Sequence, residues 1–292
     1  MKALFCTDGS EVSFIALDNL ERYCDEIIVD IVCVIDWHFH PVYMTHPQQD
    51  FINTYDDIAE NILQLASEKI KEKGYIVGEL KKMWGVASEE IIKHTQKNYY
   101  DLIILGSHGK KGVKSWLGSV SRRVVNTVNE PVFVSKELKE NKRILFTADG
   151  SFCSKFAIKK ALSLFNFKNK EIYVITVMED VSNLPIEITS NREWFNDYLK
   201  KRNCFAQNVI RETSATLKEH NLEVKNDYSL IGSPSSTILE TIENNDIDLV
   251  ILGSRSKDRI SEFLLGSTSK RVLENAKCSV LIISPQEEHT KY

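Results

Sequence analysis

Short apolar runs alternate with amphipathic stretches along this chain, and the series occurs twice. Lys2 to Cys6 (KALFC) has strand length, and Thr7-Asp8-Gly9-Ser10 reads as a turn whose serine caps the next helix. That helix aligns Phe14, Leu17 and Leu20 or Tyr23 on one face. Ile27 to Val34 is the second strand, followed by the aromatic, histidine-rich loop WHFHPVYMTH. Ile58, Ile62, Leu65 and Ile70 recur near the helical period, which predicts a long amphipathic helix over Phe51 to Lys73 ending at Gly74. Tyr75 to Leu80 is a third strand, Ser88 caps a helix reaching about Gln96, and Leu102 to Leu105 is the fourth strand. From Ser119 a helix aligns Val120, Val124 and Val128, and Pro131 opens the last strand, PVFVS. The order is βαβαβαβαβ, with connections long enough for right-handed crossovers.

At Lys142 the pattern restarts. RILFTADGS (Arg143 to Ser151) matches KALFCTDGS, and EIYVITVME matches the second strand. DLVILGSRSKDRISEFLLGS (Asp248 to Ser267) matches DLIILGSHGKKGVKSWLGS (Asp101 to Ser119), and Ser279 to Ile283 matches the final strand. This is a duplication, with a boundary in the charged segment KELKENK and domains at 1–139 and 140–292. Four- to five-residue apolar runs of this kind are typical of parallel strands buried on both faces. The expected fold is two tandem flavodoxin-like or Rossmann-like α/β domains, each with five parallel strands in the order 3-2-1-4-5. The acidic and aromatic stretch Ile188 to Phe205 reads only as part of a helix matching Phe51 to Lys73.

Composition narrows the function. A length of 292 residues suits two domains, each of about 145 residues and able to bury about two-thirds of its unfolded surface. The formal net charge of -4 and pI near 6.0 argue against a nucleic-acid footprint or a polybasic membrane patch. Six cysteines without C-x-x-C spacing read as buried thiols of a reducing cytoplasm. The N-terminus enters a strand without a signal-peptide pattern. The longest apolar run, Ile27 to Ile35, is too short to span a bilayer and contains Asp30, so a soluble cytosolic protein is expected.

Such a sheet binds ligands beyond the carboxyl ends of its strands. Asp8 and Asp149 end the first strand of each copy, and a glycine-broken loop follows each fourth strand. Glycines ahead of a helix expose backbone N–H groups where the helix dipole is positive, which suits phosphate. The plainer reading of each aspartate is a turn residue capping its own helix. Lys110, Lys111 and Lys114, with Lys257 and Arg259, are either a solvated basic loop or a counter-charge for an anion. His108 has Arg255 as its counterpart, so a polar donor is the common description. His38, His40 and His46 could converge on a metal. No cysteine or carboxylate completes that set, however, and the second copy lacks it. The alternative is an aromatic lid of Trp37, Phe39 and Tyr43, and the expected metal is none. The sequence contains neither G-x-x-x-x-G-K-[ST] nor G-x-G-x-x-G, and no nucleophile and base can be paired by spacing. No catalytic residue is assigned.

Taken together, the strand-end aspartates and the glycine loops resemble the universal stress protein family in its tandem form, over essentially the whole chain. The family pattern is G-x2-G-x9-G-[ST] after the fourth strand. The resemblance implies a fold like that of the adenine nucleotide alpha hydrolases, with ATP, AMP or ADP as ligand, with or without Mg2+. It assigns adenine and ribose contacts to Asp8 and Val34, and phosphate contacts to Gly106, Gly109, Gly118 and Ser119, with His108 beside them. In the second copy the equivalents are Asp149, Val177, Gly253, Gly266 and Ser267, with Arg255 and Ser256 in the loop. Both copies depart from the pattern. The first has eight residues, Lys110 to Leu117, where the family has nine, and the second has Ser256 in place of a glycine. If that serine needs positive φ it costs roughly 1–2 kcal/mol, comparable to one charge-assisted hydrogen bond at about 1.5–3 kcal/mol. The resemblance further implies that the halves pair through their apolar last strands, with homodimer formation left open. The implied function is a nucleotide-binding sensor or switch in the stress response. The alternatives are a nucleotide-free scaffold or chaperone-like factor, and a slow ATPase.

Overall fold

The structure is a computed structural model that describes residues 1–36, 49–107, 117–136, 142–181, 192–254 and 265–285. Contacts divide the chain into two compact units that meet in sequence at Lys139 and Glu140.

The first unit comprises β1 (Lys2–Cys6), α1 (Glu11–Leu20), β2 (Ile28–Ile35), α2 (Gln49–Glu72), β3 (Ile76–Trp84), α3 (Ala87–Lys97), β4 (Leu102–Gly106), α4 (Ser119–Thr127) and β5 (Val132–Ser135). Its strands are parallel and ordered β3-β2-β1-β4-β5, as the sequence predicts. The second unit repeats this with β6 (Arg143–Thr147), α5 (Phe152–Leu164), β7 (Glu171–Met178), α6 (Arg192–Glu219), β8 (Val224–Ile231), α7 (Pro234–Asn244), β9 (Leu249–Gly253), α8 (Ser267–Asn275) and β10 (Ser279–Ile283). Its order is β8-β7-β6-β9-β10, again all parallel. Central strands buried on both faces explain the near-continuous apolar runs: Ala3, Leu4 and Phe5, and Ile144, Leu145 and Phe146, are fully buried.

Ser10 caps α1 as expected, its side chain accepting from the Ser13 N–H, and Phe14, Leu17, Leu20 and Tyr23 are buried. Ser88 is not a cap. It lies inside α3, whose N-cap is Val86, and its small side chain is buried. The apolar stripe of α2 is also rotated from the predicted one. Ala59, Leu63, Ala66, Ser67 and Ile70 are buried, while Ile58 and Leu65 are each 45% exposed. Small residues on the inner face let the helix axis lie close to β2 and β3, so Ile58 and Leu65 turn outward, while Ile62 packs on Gly9. β3 extends to Trp84 because β2 offers a partner through Ile35. Four cysteines are buried, but Cys153 is partly exposed and Cys204 is exposed.

One charge stands in the core of the first unit. Asp30 on β2 accepts from the Glu79 N–H at 2.8 Å and the Tyr100 hydroxyl at 3.0 Å, and pairs with the Lys2 ammonium at 2.7 Å. A Cβ on Gly78 would overlap the Asp30 carboxylate, so glycine is required there. Burial opposes ionisation of Asp30, but these bonds outweigh it and hold its carboxyl below the usual range. Tyr100 donates to Asp30, so the His94 Nε2 at 2.9 Å must donate to Tyr100. His94 Nδ1 is then an acceptor, facing the Asn98 amide at 3.3 Å.

Candidate functional site

The parallel register brings the predicted residues of each unit to the carboxyl edge of its sheet. Cys6 of β1 pairs with Val32 of β2 and Leu105 of β4. Asp8 therefore emerges two residues past β1, beside Val34 near the end of β2 and Gly106 at the end of β4. In the second unit Thr147 pairs with Ile175, and Phe146 with Ile251. Asp149, Val177 and Gly253 take the corresponding places. Both aspartates are exposed, and Val34, Val177 and the two glycines are half-buried.

Each aspartate uses one oxygen to shape its own turn. Asp8 Oδ1 accepts from the Ser10 N–H at 3.0 Å, and Asp149 Oδ1 from the Ser151 N–H at 2.9 Å. The turn-capping role is therefore real in both copies. It coexists with an exposed carboxylate edge. Burial acts to raise the Asp149 carboxyl, but hydrogen bonding within the Ser151–Ser154 turn prevails and keeps it below the usual range. An ionised acceptor stands there at neutral pH. Gly9 and Gly150 have φ of +75° and +77°, the left-handed geometry that the Asp-Gly turn requires.

The structure separates the roles of the other glycines. Gly106 and Gly253 pack under the first turn of the neighbouring helix. A Cβ on Gly106 would lie 3.1 Å from Ser13 Cα, and one on Gly253 would lie 2.8 Å from the Cys153 carbonyl oxygen. Close packing alone accounts for both. Gly118 and Gly266 are the N-cap residues of α4 and α8, with φ of -59° and -54°, a conformation any residue adopts. Neither supplies a side-chain cap. Among the described residues a Cβ on Gly266 would meet only the Ser269 Oγ, 4.0 Å away. Neither backbone strain nor packing among the described residues requires this glycine. What its absent side chain leaves clear is the approach to a helix N-terminus, where Ser119 and Ser267 are exposed.

Further bonds fix the loop ends. The Gly118 N–H donates to the Ser107 carbonyl at 2.6 Å, Ser121 donates to the Gly106 carbonyl at 2.7 Å, and Ser269 to that of Gly253 at 2.9 Å. Thr7 adds a support that the sequence reading missed, with its hydroxyl 2.7 Å from Ser13 Oγ and accepting from the Gly9 N–H at 3.0 Å. The signal was present in the Thr-Asp-Gly-Ser turn, but Ala148 replaces the threonine in the second copy. His108, Gly109, Arg255 and Ser256 lie outside the described residues, as do Lys110, Lys111, Lys114, Lys257 and Arg259. So do His38, His40 and His46 and the aromatic residues Trp37, Phe39 and Tyr43. Among the described residues no group of three or more metal-ligating side chains occurs.

The family model for universal stress proteins matches the chain twice, over residues 1–136 and 140–284. The chain belongs to the universal stress protein family. A universal stress protein of Methanocaldococcus jannaschii is 28% identical over 148 residues, covering 50% of this chain and 85% of the relative. A second from the same organism is 26% identical over 153 residues, covering 49% and 94%. Each relative thus corresponds to about one unit, as expected of a tandem member. The crystal structure of a universal stress protein from Archaeoglobus fulgidus DSM 4304 aligns with 97% of this chain and 98% of its own, at 24% identity and a TM-score of 0.69. It shares the tandem fold. Among the described residues of this universal stress protein, no helix is long and apolar enough to cross a membrane.

Proposed function

We propose that this universal stress protein binds ATP or a related adenine nucleotide at the carboxyl edge of each sheet, as a sensor or switch of the stress response in the cytosol. The domains in this reading are 1–139 and 140–292, acting as a pair with one site each. Asp8 and Asp149 would accept from the ribose or base, Val34 and Val177 would pack against the base, and the phosphates would lie at the starts of α4 and α8. The observation that carries the reading is the glycine at each of these helix starts. Among the described residues Gly266 serves neither conformation nor packing, and a glycine there suits the approach of an anion to the positive end of a helix dipole. The sequence pairs no nucleophile with a base by spacing, and on that ground the reading is binding rather than hydrolysis. Ligation would order the phosphate loop and change a surface that a partner reads.

Calorimetric titration of the nucleotide-stripped protein with Mg-ATP tests this. Saturable binding that Gly118→Val or Gly266→Val removes one site at a time is the expected result. No heat and no thermal shift at millimolar nucleotide would instead favour a scaffold that has lost its ligand.

A further inference from the structure

Between α5 and α6 of the second unit lies an open groove of about 330 Å³, within the size range of small-molecule sites. Its floor is apolar, with Ala148, Ile158 and Val209 buried, and Ser154 and Thr213 add hydroxyl groups.

The duplication shows why this space is open. Gly9 and Gly150 occupy the same turn, and Ile62 and Val209 each pack against that glycine. In this alignment Phe14 of α1 corresponds to Lys155 of α5, and Lys69 of α2 to Thr216 of α6. In the first unit the Phe14 ring is buried, with the Lys69 ammonium 5.4 Å from its centroid. A ring under a cation therefore fills the place between the helices. In the second unit the ring is absent, and Lys155 reaches across the rim to Glu212 at 2.7 Å. The wall charges are also exchanged. Asp18 and Glu21 on the α1 side meet Lys73 from the end of α2. In the second unit Lys155 and Lys159 stand on α5, with Glu212 and Glu219 on α6.

We propose that the α5–α6 groove binds a small zwitterionic aromatic molecule of the free aromatic amino acid class. The ring lies on Ile158 and Val209, where the sister copy places Phe14. The carboxylate meets Lys155 and Lys159, and the ammonium meets Glu212 and Glu219. The Lys155–Glu212 pair is more than half exposed on both sides, so it separates readily to admit the ligand. A lysine then stands over the ring, as Lys69 does over Phe14. The groove runs along the helix pair and borders the strand end, where Ala148 and Gly150 flank Asp149.

The test is titration of the full chain with L-phenylalanine, followed by NMR chemical shifts, with phenylacetate and phenethylamine as controls lacking the ammonium or the carboxylate. Saturable L-phenylalanine binding is expected, with affinity about tenfold or more weaker for each control and for Glu212→Lys. Lys155→Phe should abolish binding, because it returns to the groove the ring of the first copy, while the Mg-ATP response stays unchanged. The exposed position of Glu212 makes Glu212→Lys the deciding variant if Lys155→Phe does not fold. Absence of saturable binding at millimolar L-phenylalanine, or wild-type affinity in the folded variants, would overturn the proposal.

Discussion

At the scale of single residues, the glycines show how one sequence signal covers two physical causes. Gly253→Ala places a Cβ against the Cys153 carbonyl oxygen and should cost about 1–3 kcal/mol in chemical denaturation. Gly266→Val meets no described atom closer than the Ser269 Oγ at 4.0 Å, so it should leave the melting temperature nearly unchanged while removing nucleotide heat from the second site. The Asp30 network makes a second prediction. Removing the carboxylate in Asp30→Ala strands Tyr100 and the Glu79 N–H and should cost about 2–4 kcal/mol, reduced by the partial exposure of Lys2. Its pH dependence has a definite sign. Burial, with Lys81 nearby, lowers the His94 pKa, and protonation would turn the Nδ1 acceptor into a donor facing the Asn98 amide. The unfolded chain then binds the proton more readily than the folded one. The stability from neutral His94 is therefore complete above the unfolded histidine value near 6.5 and declines as pH falls below it. Asp30 adds a further loss as pH falls below the unfolded carboxyl value near 3.9 and through its own lower pKa. Denaturant melts of wild type and His94→Gln from neutral pH to pH 5 should converge as the pH falls.

At the scale of elements, the sequence established that α2 is a helix but placed its inner face only in part: Ile70 is buried and Ile62 packs on Gly9, while Ile58 and Leu65 are exposed. Both Ile58-Ile62-Leu65 and Ala59-Leu63-Ala66 recur at helical spacing, and hydrophobicity favours the first. The sheet selects the second, because a helix lying close to β2 and β3 accommodates alanine where isoleucine would hold it off. Leu63→Ala should therefore cost about 2–4 kcal/mol, and Leu65→Ala should stay within about 0.5 kcal/mol, as read by urea melts. The cap of α1 was legible because it is local: a serine three residues before the N–H it accepts needs no tertiary partner. Ser10→Ala should cost about 1 kcal/mol. The Ser88 cap failed because the same sequence cue leaves open whether serine precedes the helix or lies within its first turn.

At the scale of the whole molecule, the duplication makes two sites that need not be equal. If both bind, Mg-ATP at a hundredfold excess over Kd should add about 2.7 kcal/mol to each unit, seen as a shift in the melting curve. Alignment of the copies revealed the repeat, the strand order and the placement of Asp8 and Asp149 just past the first strand of each unit. Those features follow from the period of apolar residues and the handedness of parallel crossovers, which operate along the chain. Only the tertiary structure distinguished Gly253, held by packing, from Gly266, which among the described residues is held by neither packing nor strain. It alone showed that Asp30 is buried among three polar groups and that Lys155 leaves a groove where Phe14 fills one. Those outcomes depend on distances between residues far apart in sequence, and the hydrophobic pattern carries no record of how closely two elements approach.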